Sequence, residues 1–475
     1  MPKRTKIIAT IGPASSSPGV IAKLIRSGMD AARLNFSHGE RKDHTRRLKL
    51  IRQEAARADK HIAVIQDLQG PKLRVGIVQN DAVTLKRGDT VMISTKKTIG
   101  TSRMFSVTYP RLTKDLKAGD IVLLDDGRLE LRVVKKTIHS LSCRIIRGGV
   151  LKSHKGVNLP GAFLSLPSLS NKDREDLRFG VQQGVDYVAL SFVRTADDII
   201  RTRRFIQSLG ANIPIIAKIE KPDAILNLDE IIEAADGVMV ARGDLGVEMS
   251  PEQVPLLQKL IIRACNEAEK PVITATQMLE SMIESHQPTR AEASDVANAI
   301  LDGTDCVMLS GETAVGKFPV QAVSVMARIA EQAETSLEAL PPDKHISGAD
   351  ESIAHAACRA AAEQRAHAIV TFTQSGSTAL MVSKHRPGMC VIAPTPFDRV
   401  ARKVSLYWGV TPVILKTKKT TDDMITSVER IMLKKKLARR RDLILITAGV
   451  PIGVAGSTNM LKIHRIGEVT SLELR

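Results

Sequence analysis

Aromatic side chains are scarce in this 475-residue chain: they make up 3 % of it, and there is one tryptophan. Stacking platforms for nucleic-acid bases therefore have little to be built from. Long apolar runs are also missing. No stretch reaches the roughly 18 residues that a transmembrane helix needs, and the run Ile7-Ile8-Ala9-Thr10-Ile11 is too short for the apolar part of a signal peptide. The five cysteines are odd in number and widely spaced, with no CxxC pair, and are expected to be buried reduced thiols of a cytoplasmic protein. No internal repeat and no low-complexity segment stands out. Negative charge is in short supply: 51 Asp plus Glu face 69 Lys plus Arg, a net charge of +18. The excess concentrates in residues 384–441, with fifteen basic against four acidic side chains, and is densest at 434–441. A solvated helix end and loop is the plainest account of that run. Recruitment of anionic metabolites is the second, and specific nucleic-acid binding the least favoured.

At this length two or three domains are expected. Eight strand-like apolar runs, at 6–11, 31–36, 62–68, 187–193, 213–220, 237–241, 272–277 and 307–310, alternate with helix-like segments. Near-continuous apolar runs are what buried parallel strands look like. Eight β/α units predict a (β/α)8 barrel, with its site at the C-terminal strand ends. In the segment at 254–265 the apolar positions 254, 257, 261 and 264 are expected to face the core. After the third unit, short alternating runs separated by Gly/Asp turns predict an inserted all-β cap, barrel-like in its strand pattern, at 70–166. The catalytic barrel would then comprise 1–69 and 167–340. Residues 341–350 read as a linker, and 341–475 as a C-terminal α/β domain with an open sheet.

Charged residues gather where the apolar runs end. Lys218-Ile219-Glu220 closes the fifth run, and Asp244 follows in Arg242-Gly243-Asp244-Leu245-Gly246, just after the sixth. Thr276 ends the seventh. Two carboxylates from neighbouring strands suit Mg²⁺, which keeps waters and substrate oxygens in its shell; pairing with Lys218 or Arg242 is the plain alternative. Lys218 and Glu220 share one face, so the lysine could balance charge on a phosphoryl group or an enolate, or form a Schiff base. Backbone N–H groups near Gly243 could meet a carboxylate. On the second unit, a period of two puts Arg33, Asn35 and Ser37 on one face, and Asp67 ends the third. Thr373-Gln374-Ser375-Gly376-Ser377-Thr378 sits between a strand and a helix, either an anion loop or a plain N-cap turn.

Taken together, Ala32-Arg33-Leu34-Asn35-Phe36-Ser37-His38-Gly39, Asp67-Leu68-Gln69-Gly70-Pro71, Lys155-Gly156-Val157-Asn158-Leu159-Pro160-Gly161, Lys218-Ile219-Glu220, the Met239–Glu248 segment, the 273–282 segment and Met308-Leu309-Ser310-Gly311-Glu312-Thr313-Ala314 resemble the pyruvate kinase family over nearly the whole chain. The resemblance implies transfer of a phosphoryl group from phosphoenolpyruvate to ADP, a barrel with a cap and a regulatory domain, and a homotetramer. It implies Mg²⁺ (or Mn²⁺) on Glu220 and Asp244, with Lys218 as the transition-state cation. It puts Arg33 on the substrate phosphate, and Gly243, Asp244 and Thr276 on its carboxylate. Asn35, Arg74 and Lys155 would meet the nucleotide, and Thr276 acting through water is a route for the enolate proton. The family's monovalent-cation site falls on Asn35, Ser37, Asp67 and Leu68. Here Leu68 and Lys72 replace a Thr and a Glu of K⁺-requiring members, which predicts that the Lys72 ammonium stands in for K⁺. The loop of Thr373, Ser375, Gly376, Ser377 and Thr378 would take a sugar-phosphate effector, assisted by Lys384, Arg386 and Arg402. A phosphoenolpyruvate or pyruvate lyase or aldolase on the same barrel is the alternative. A membrane role is not expected, nor is a nucleic-acid partner.

Overall fold

The computed structural model describes residues 3–162, 167–337, 348–450 and 458–468. Most of the expected 341–350 linker lies outside them. Eight parallel strands close into a barrel in which each strand pairs with its sequence neighbours and the last with the first. They are β1 (Lys6–Thr10), β2 (Ala31–Asn35), β3 (Ala63–Asp67), β4 (Tyr187–Leu190), β5 (Ile215–Ile219), β6 (Gly237–Ala241), β7 (Val272–Ala275) and β8 (Cys306–Leu309). Most stop one to three residues short of the end of the apolar run, where the chain leaves the ladder for the βα turn; Phe36 still donates its N–H to the Asp67 carbonyl at 2.9 Å from just beyond β2.

The barrel interior is filled by alternate residues of every strand: Ile8, Ala31, Ile65, Ala189, Ile216, Met239, Ile273 and Met308 among them. The parity of this inward face decides what reaches the mouth. Two residues on from the filler come Thr10 on β1, Arg33 on β2 and Asp67 on β3; Ser191 follows Ala189 and Lys218 follows Ile216. Helices cover the outside over a second and larger apolar cluster. In the helix Val254–Glu267 the inward face is shifted from the expected one: Ile261 is buried and Ala264 packs on the core as expected, Gln258, Ile262 and Cys265 are buried with them, Val254 and Leu257 are half-buried, and Leu256 and Leu260 face water.

Between β3 and β4 the chain builds a six-stranded sheet and a separate two-stranded ladder. The ladder pairs Ala82–Leu85 with Gly149–Lys152. Three of the eight strands, Met104–Ser106, Gly149–Lys152 and Val157–Asn158, are too short or too mixed in pattern to stand out in sequence. The C-terminal region forms a five-stranded sheet in the order Val410–Ile414, Cys390–Thr395, Ala368–Thr371, Leu443–Gly449, Thr458–Arg465. Only the last strand is antiparallel.

This region plugs the barrel's N-terminal end. Leu406 packs into the interior cluster beside Ile8, Ala31 and Cys306. Tyr187 Oη donates to the Lys403 carbonyl at 2.8 Å and Lys6 Nζ to the Val410 carbonyl at 2.7 Å. Trp408 lies under the guanidinium groups of both Arg4 and Arg386, each 4.9 Å from the ring. The basic residues expected to assist an effector are spent here. Lys384, with 0 % of its side chain exposed, pairs with Asp305 at 2.6 Å; Arg386 pairs with the same carboxylate at 3.0 Å. Arg402 pairs with Asp186 at 2.8 Å. Burial makes an unpaired cation costly, so each has been drawn to an interface carboxylate. The basic residues of the 434–441 run are exposed at the end of the helix Thr421–Lys434 and after it, and Lys435 reaches Asp59 at 2.5 Å, in keeping with a solvated helix end and loop.

Asp305→Asn would leave buried Lys384 and half-buried Arg386 without their carboxylate. The expected cost is about 3–5 kcal/mol, read as a lowered denaturant midpoint with an early red shift of emission from the one tryptophan, Trp408. An unchanged midpoint would contradict this account of the interface.

Candidate active site

The strand ends bring together two cations and two buried carboxylates. Asp67, 1 % exposed, stands between the cations: Arg33 Nε lies 2.6 Å from its Oδ2 and Lys218 Nζ 3.2 Å from its Oδ1. Lys218 also reaches Glu220 Oε1 at 2.8 Å and Ser191 Oγ at 2.7 Å. Burial alone would raise the Asp67 carboxyl, but Arg33 and Lys218 outweigh it and hold the group below the usual carboxylate range. Burial would lower the Lys218 ammonium, yet Asp67, Glu220 and Asp244 raise it above an ordinary lysine. A lysine so held is a fixed positive charge and not a neutral amine nucleophile.

Glu220 is 1 % exposed and accepts from the Phe192 N–H at 2.8 Å. Burial pushes its carboxyl up to about 7; Lys218 pulls the other way and the Asp244 carboxylate adds to the rise. Asp244 lies half-buried in the first turn of the helix Arg242–Glu248, which starts straight from β6. The plain ion-pair alternative holds for Glu220, whose partner is Lys218. It does not hold for Arg242, which turns away to Asp295 at 2.7 Å and to the carbonyls of Ala275 and Thr276. The Asp244 carboxylate acts on both Glu220 and the Lys218 ammonium, so the two carboxylates share one neighbourhood, a donor set that fits a hard divalent cation.

Thr276 and Gly243 meet each other. The Gly243 N–H donates to Thr276 Oγ1 at 2.7 Å, and that hydroxyl donates to the Ala275 carbonyl at 2.6 Å. Thr276 has φ +69, a costly conformation for a β-branched residue. The strain at a strand end holds its hydroxyl against the start of the Arg242–Glu248 helix. Asn35 and Ser37 sit on the half-buried face with Arg33, as the period of two requires, and Asn35 Oδ1 accepts the Ser37 N–H at 3.0 Å. Leu68 is buried, with its carbonyl taken by Ser191 Oγ at 2.7 Å.

Of the nucleotide candidates, Asn35 ends β2 in the barrel, while Arg74 and Lys155 lie on the cap side and have cap partners. Arg74 Nη1 donates to the His154 carbonyl at 2.9 Å, and Lys155 pairs with Asp125 at 2.7 Å. Lys72 is exposed at a cleft between cap and barrel that Asn158, Phe192, Lys221 and Asp244 also line. Burial lowers the His38 imidazole, and Lys72, Arg74 and Arg33 lower it further, so the three cations share one neighbourhood. Glu248 ties the cap to the mouth, accepting from Asn158 Nδ2 at 2.9 Å and Lys221 Nζ at 2.5 Å. In the C-terminal loop, Thr373 Oγ1 accepts from Gly376 N at 2.8 Å and Thr378 Oγ1 meets Thr458 Oγ1 at 2.7 Å; Ser375 and Ser377 remain at the surface.

Sequence reasoning missed Thr10, Ser191, Phe192 and Asp295. For Thr10 and Ser191 the signal was parity alone: each stands two residues past an interior residue, as Arg33, Asp67 and Lys218 do. Asp295 carries none, because it lies mid-helix, in Arg290–Leu301.

Two family models match the chain: the pyruvate kinase barrel domain over residues 2–323 and the pyruvate kinase alpha/beta domain over residues 351–464. The chain belongs to the pyruvate kinase family. Pyruvate kinases of two Staphylococcus aureus strains, MRSA252 and USA300, are each 46 % identical to it over 477 residues, covering 98 % of this chain and 81 % of theirs. A crystal structure of a pyruvate kinase from Cryptosporidium parvum superimposes with a TM-score of 0.92 at 38 % identity, covering 98 % of this chain and 96 % of that one. As a pyruvate kinase the chain is a phosphotransferase of glycolysis that acts on phosphoenolpyruvate and ADP. Among the described residues no helix is long and apolar enough to cross a membrane.

Proposed function

We propose that the barrel mouth transfers the phosphoryl group of phosphoenolpyruvate to ADP in a Mg²⁺-dependent reaction, giving pyruvate and ATP. The observation that carries this reading is the pair of cations, buried Lys218 and half-buried Arg33, held by one buried carboxylate, Asp67. Phosphoryl transfer asks for positioned positive charge far more than for covalent chemistry. Arg33 offers a guanidinium fork to the phosphate, and Lys218 offers its ammonium to the same group and to the enolate left behind. Glu220 and Asp244 would hold Mg²⁺ (Mn²⁺ would also suit them), which supplies further charge neutralisation when bound. The Asp244 N–H and, once released from Thr276, the Gly243 N–H would grip the substrate carboxylate with the Thr276 hydroxyl. Protonation of the enolate carbon consumes one proton, which Thr276 would pass on through water. Asn35, Arg74 and Lys155 are the nucleotide contacts of this reading, and reaching ADP would take Lys155 away from Asp125. The lyase or aldolase alternative needs an uncharged lysine, which the three acidic neighbours of Lys218 oppose.

In this reading Lys72 replaces a bound monovalent cation at Asn35, Ser37, Asp67 and Leu68. Its support is the position of Lys72 at the mouth, within the charge cluster that lowers His38. The test is ADP-dependent pyruvate formation in buffer free of Na⁺ and K⁺, with a bulky organic cation. Full activity is expected for the wild type, and a loss of at least about a thousandfold for Lys218→Met, in line with removal of a charge made for the transition state. A Lys218→Met enzyme of near wild-type rate would sink the assignment of Lys218. Tenfold stimulation by KCl at fixed ionic strength would sink that of Lys72.

Ser375, before the helix Ser377–Lys384, and Ser377, its first residue, are the part of the C-terminal loop left to receive a sugar-phosphate effector, with Lys403 beside them. Lys403 Nζ now donates to the Ser375 carbonyl at 3.2 Å. Activation by one of a panel of sugar phosphates at low phosphoenolpyruvate is expected, and lost in Ser377→Glu. Rate curves that none of the panel moves would remove this assignment.

A further inference from the structure

Both cations at the mouth are completed by a hydroxyl whose own proton is already spent. Ser191, 2 % exposed and one residue beyond β4, donates its proton to the Leu68 carbonyl at 2.7 Å, which turns a lone pair toward Lys218 Nζ at 2.7 Å. Thr10, 4 % exposed and the last residue of β1, does the same on the other side. Its Oγ1 donates to the Leu309 carbonyl at 2.8 Å and accepts from Arg33 Nη1 at 3.2 Å. In each case the hydroxyl stands on the inward parity of its strand, and the carbonyl that takes its proton belongs to the strand next door or the residue just after it.

From this repeated arrangement we infer that Ser191 and Thr10 are positioning residues for the reaction, one for Lys218 and one for Arg33. A hydroxyl locked as a donor to backbone can only accept from the cation, so it fixes the direction of one N–H without a choice of rotamer. It is also neutral. Asp67 already sets one negative charge against two cations, and Glu220 adds a second. A further carboxylate in place of either hydroxyl would cancel the charge that the phosphoryl group is meant to feel, whereas a hydroxyl satisfies the N–H and leaves that charge standing. Orientation within a few tenths of an ångström is worth a large factor in rate at such a site.

The inference rests on the proposed roles of Lys218 and Arg33, so Lys218→Met is run beside the test variants. Ser191→Ala is expected to lower kcat about ten- to a hundredfold while the KM for phosphoenolpyruvate stays within about threefold and the thermal midpoint within a few degrees. Ser191→Cys, of similar volume but a weak acceptor, is expected to match it, and carries the test if the alanine variant does not fold. Thr10→Val is expected to lower kcat/KM for phosphoenolpyruvate about tenfold, and Thr10→Ser, which keeps the hydroxyl, to restore most of it. Ser191→Ala or Ser191→Cys at the wild-type kcat, with Lys218→Met inactive, overturns the inference while leaving the role of Lys218 intact. Activity that falls only in step with the thermal midpoint, without recovery in Thr10→Ser, overturns it as well, since that is the signature of a structural role. An active Lys218→Met would overturn both readings.

Discussion

One carboxylate holding two cations sets the terms for the rest of the site. Asp67 is nearly inaccessible to water and touches both Arg33 and Lys218. Removing any of the three would leave uncompensated charge in a medium that solvates it poorly. The arrangement also carries a surplus. Arg33 and Lys218 together bring two positive charges to a single Asp67, so the cluster needs more anion than that residue supplies. Glu220 is the nearest source and is itself held up by burial. A polyanionic substrate arriving with a divalent metal would bring Arg33 and Lys218 a further anion and free Glu220 from Lys218 to hold the metal. That exchange of partners is the physical reason to expect substrate and metal to strengthen each other's binding.

Much of this was legible in the chain because the barrel uses a simple period. Residues two apart on a strand share a face, so the interior filler at 8, 31, 65, 189 and 216 also tells which side chains surface at the mouth. Arg33, Asp67 and Lys218 could be read this way because charge at the end of an apolar run is conspicuous. Thr10 and Ser191 obey the same parity, yet a hydroxyl at a strand end is common and carries no such flag. Partner choice was harder. That Gly243 and Thr276 satisfy each other, and that Arg242 turns to Asp295, depends on helices some tens of residues away in sequence. The cap showed the same limit: strands of two to four residues contribute little pattern of their own and exist through the ladders they join.

The basic excess taught a different lesson. Composition suggested a reservoir of charge for an anionic effector in the C-terminal region. The structure spends Lys384, Arg386 and Arg402 on Asp305 and Asp186 at the base of the barrel, which sequence proximity could not reveal. These pairs, with Leu406 seated in the barrel interior, bind the two regions through the end opposite the active site. β4 then runs from Tyr187, bonded to the Lys403 carbonyl, to the residue before Ser191, bonded to Lys218. A single short strand therefore has one end at the C-terminal region and the other at Lys218.

The central claim is that Asp67 and Lys218 act as a unit and not as two independent charges. A double-mutant cycle on folding stability measures this without recourse to activity, using Asp67→Asn, Lys218→Met and the two combined in denaturant unfolding. Coupling predicts that the double variant is no less stable than the worse single variant, with an interaction of about 2 kcal/mol or more. Losses that simply add, to within about 0.5 kcal/mol, would contradict it.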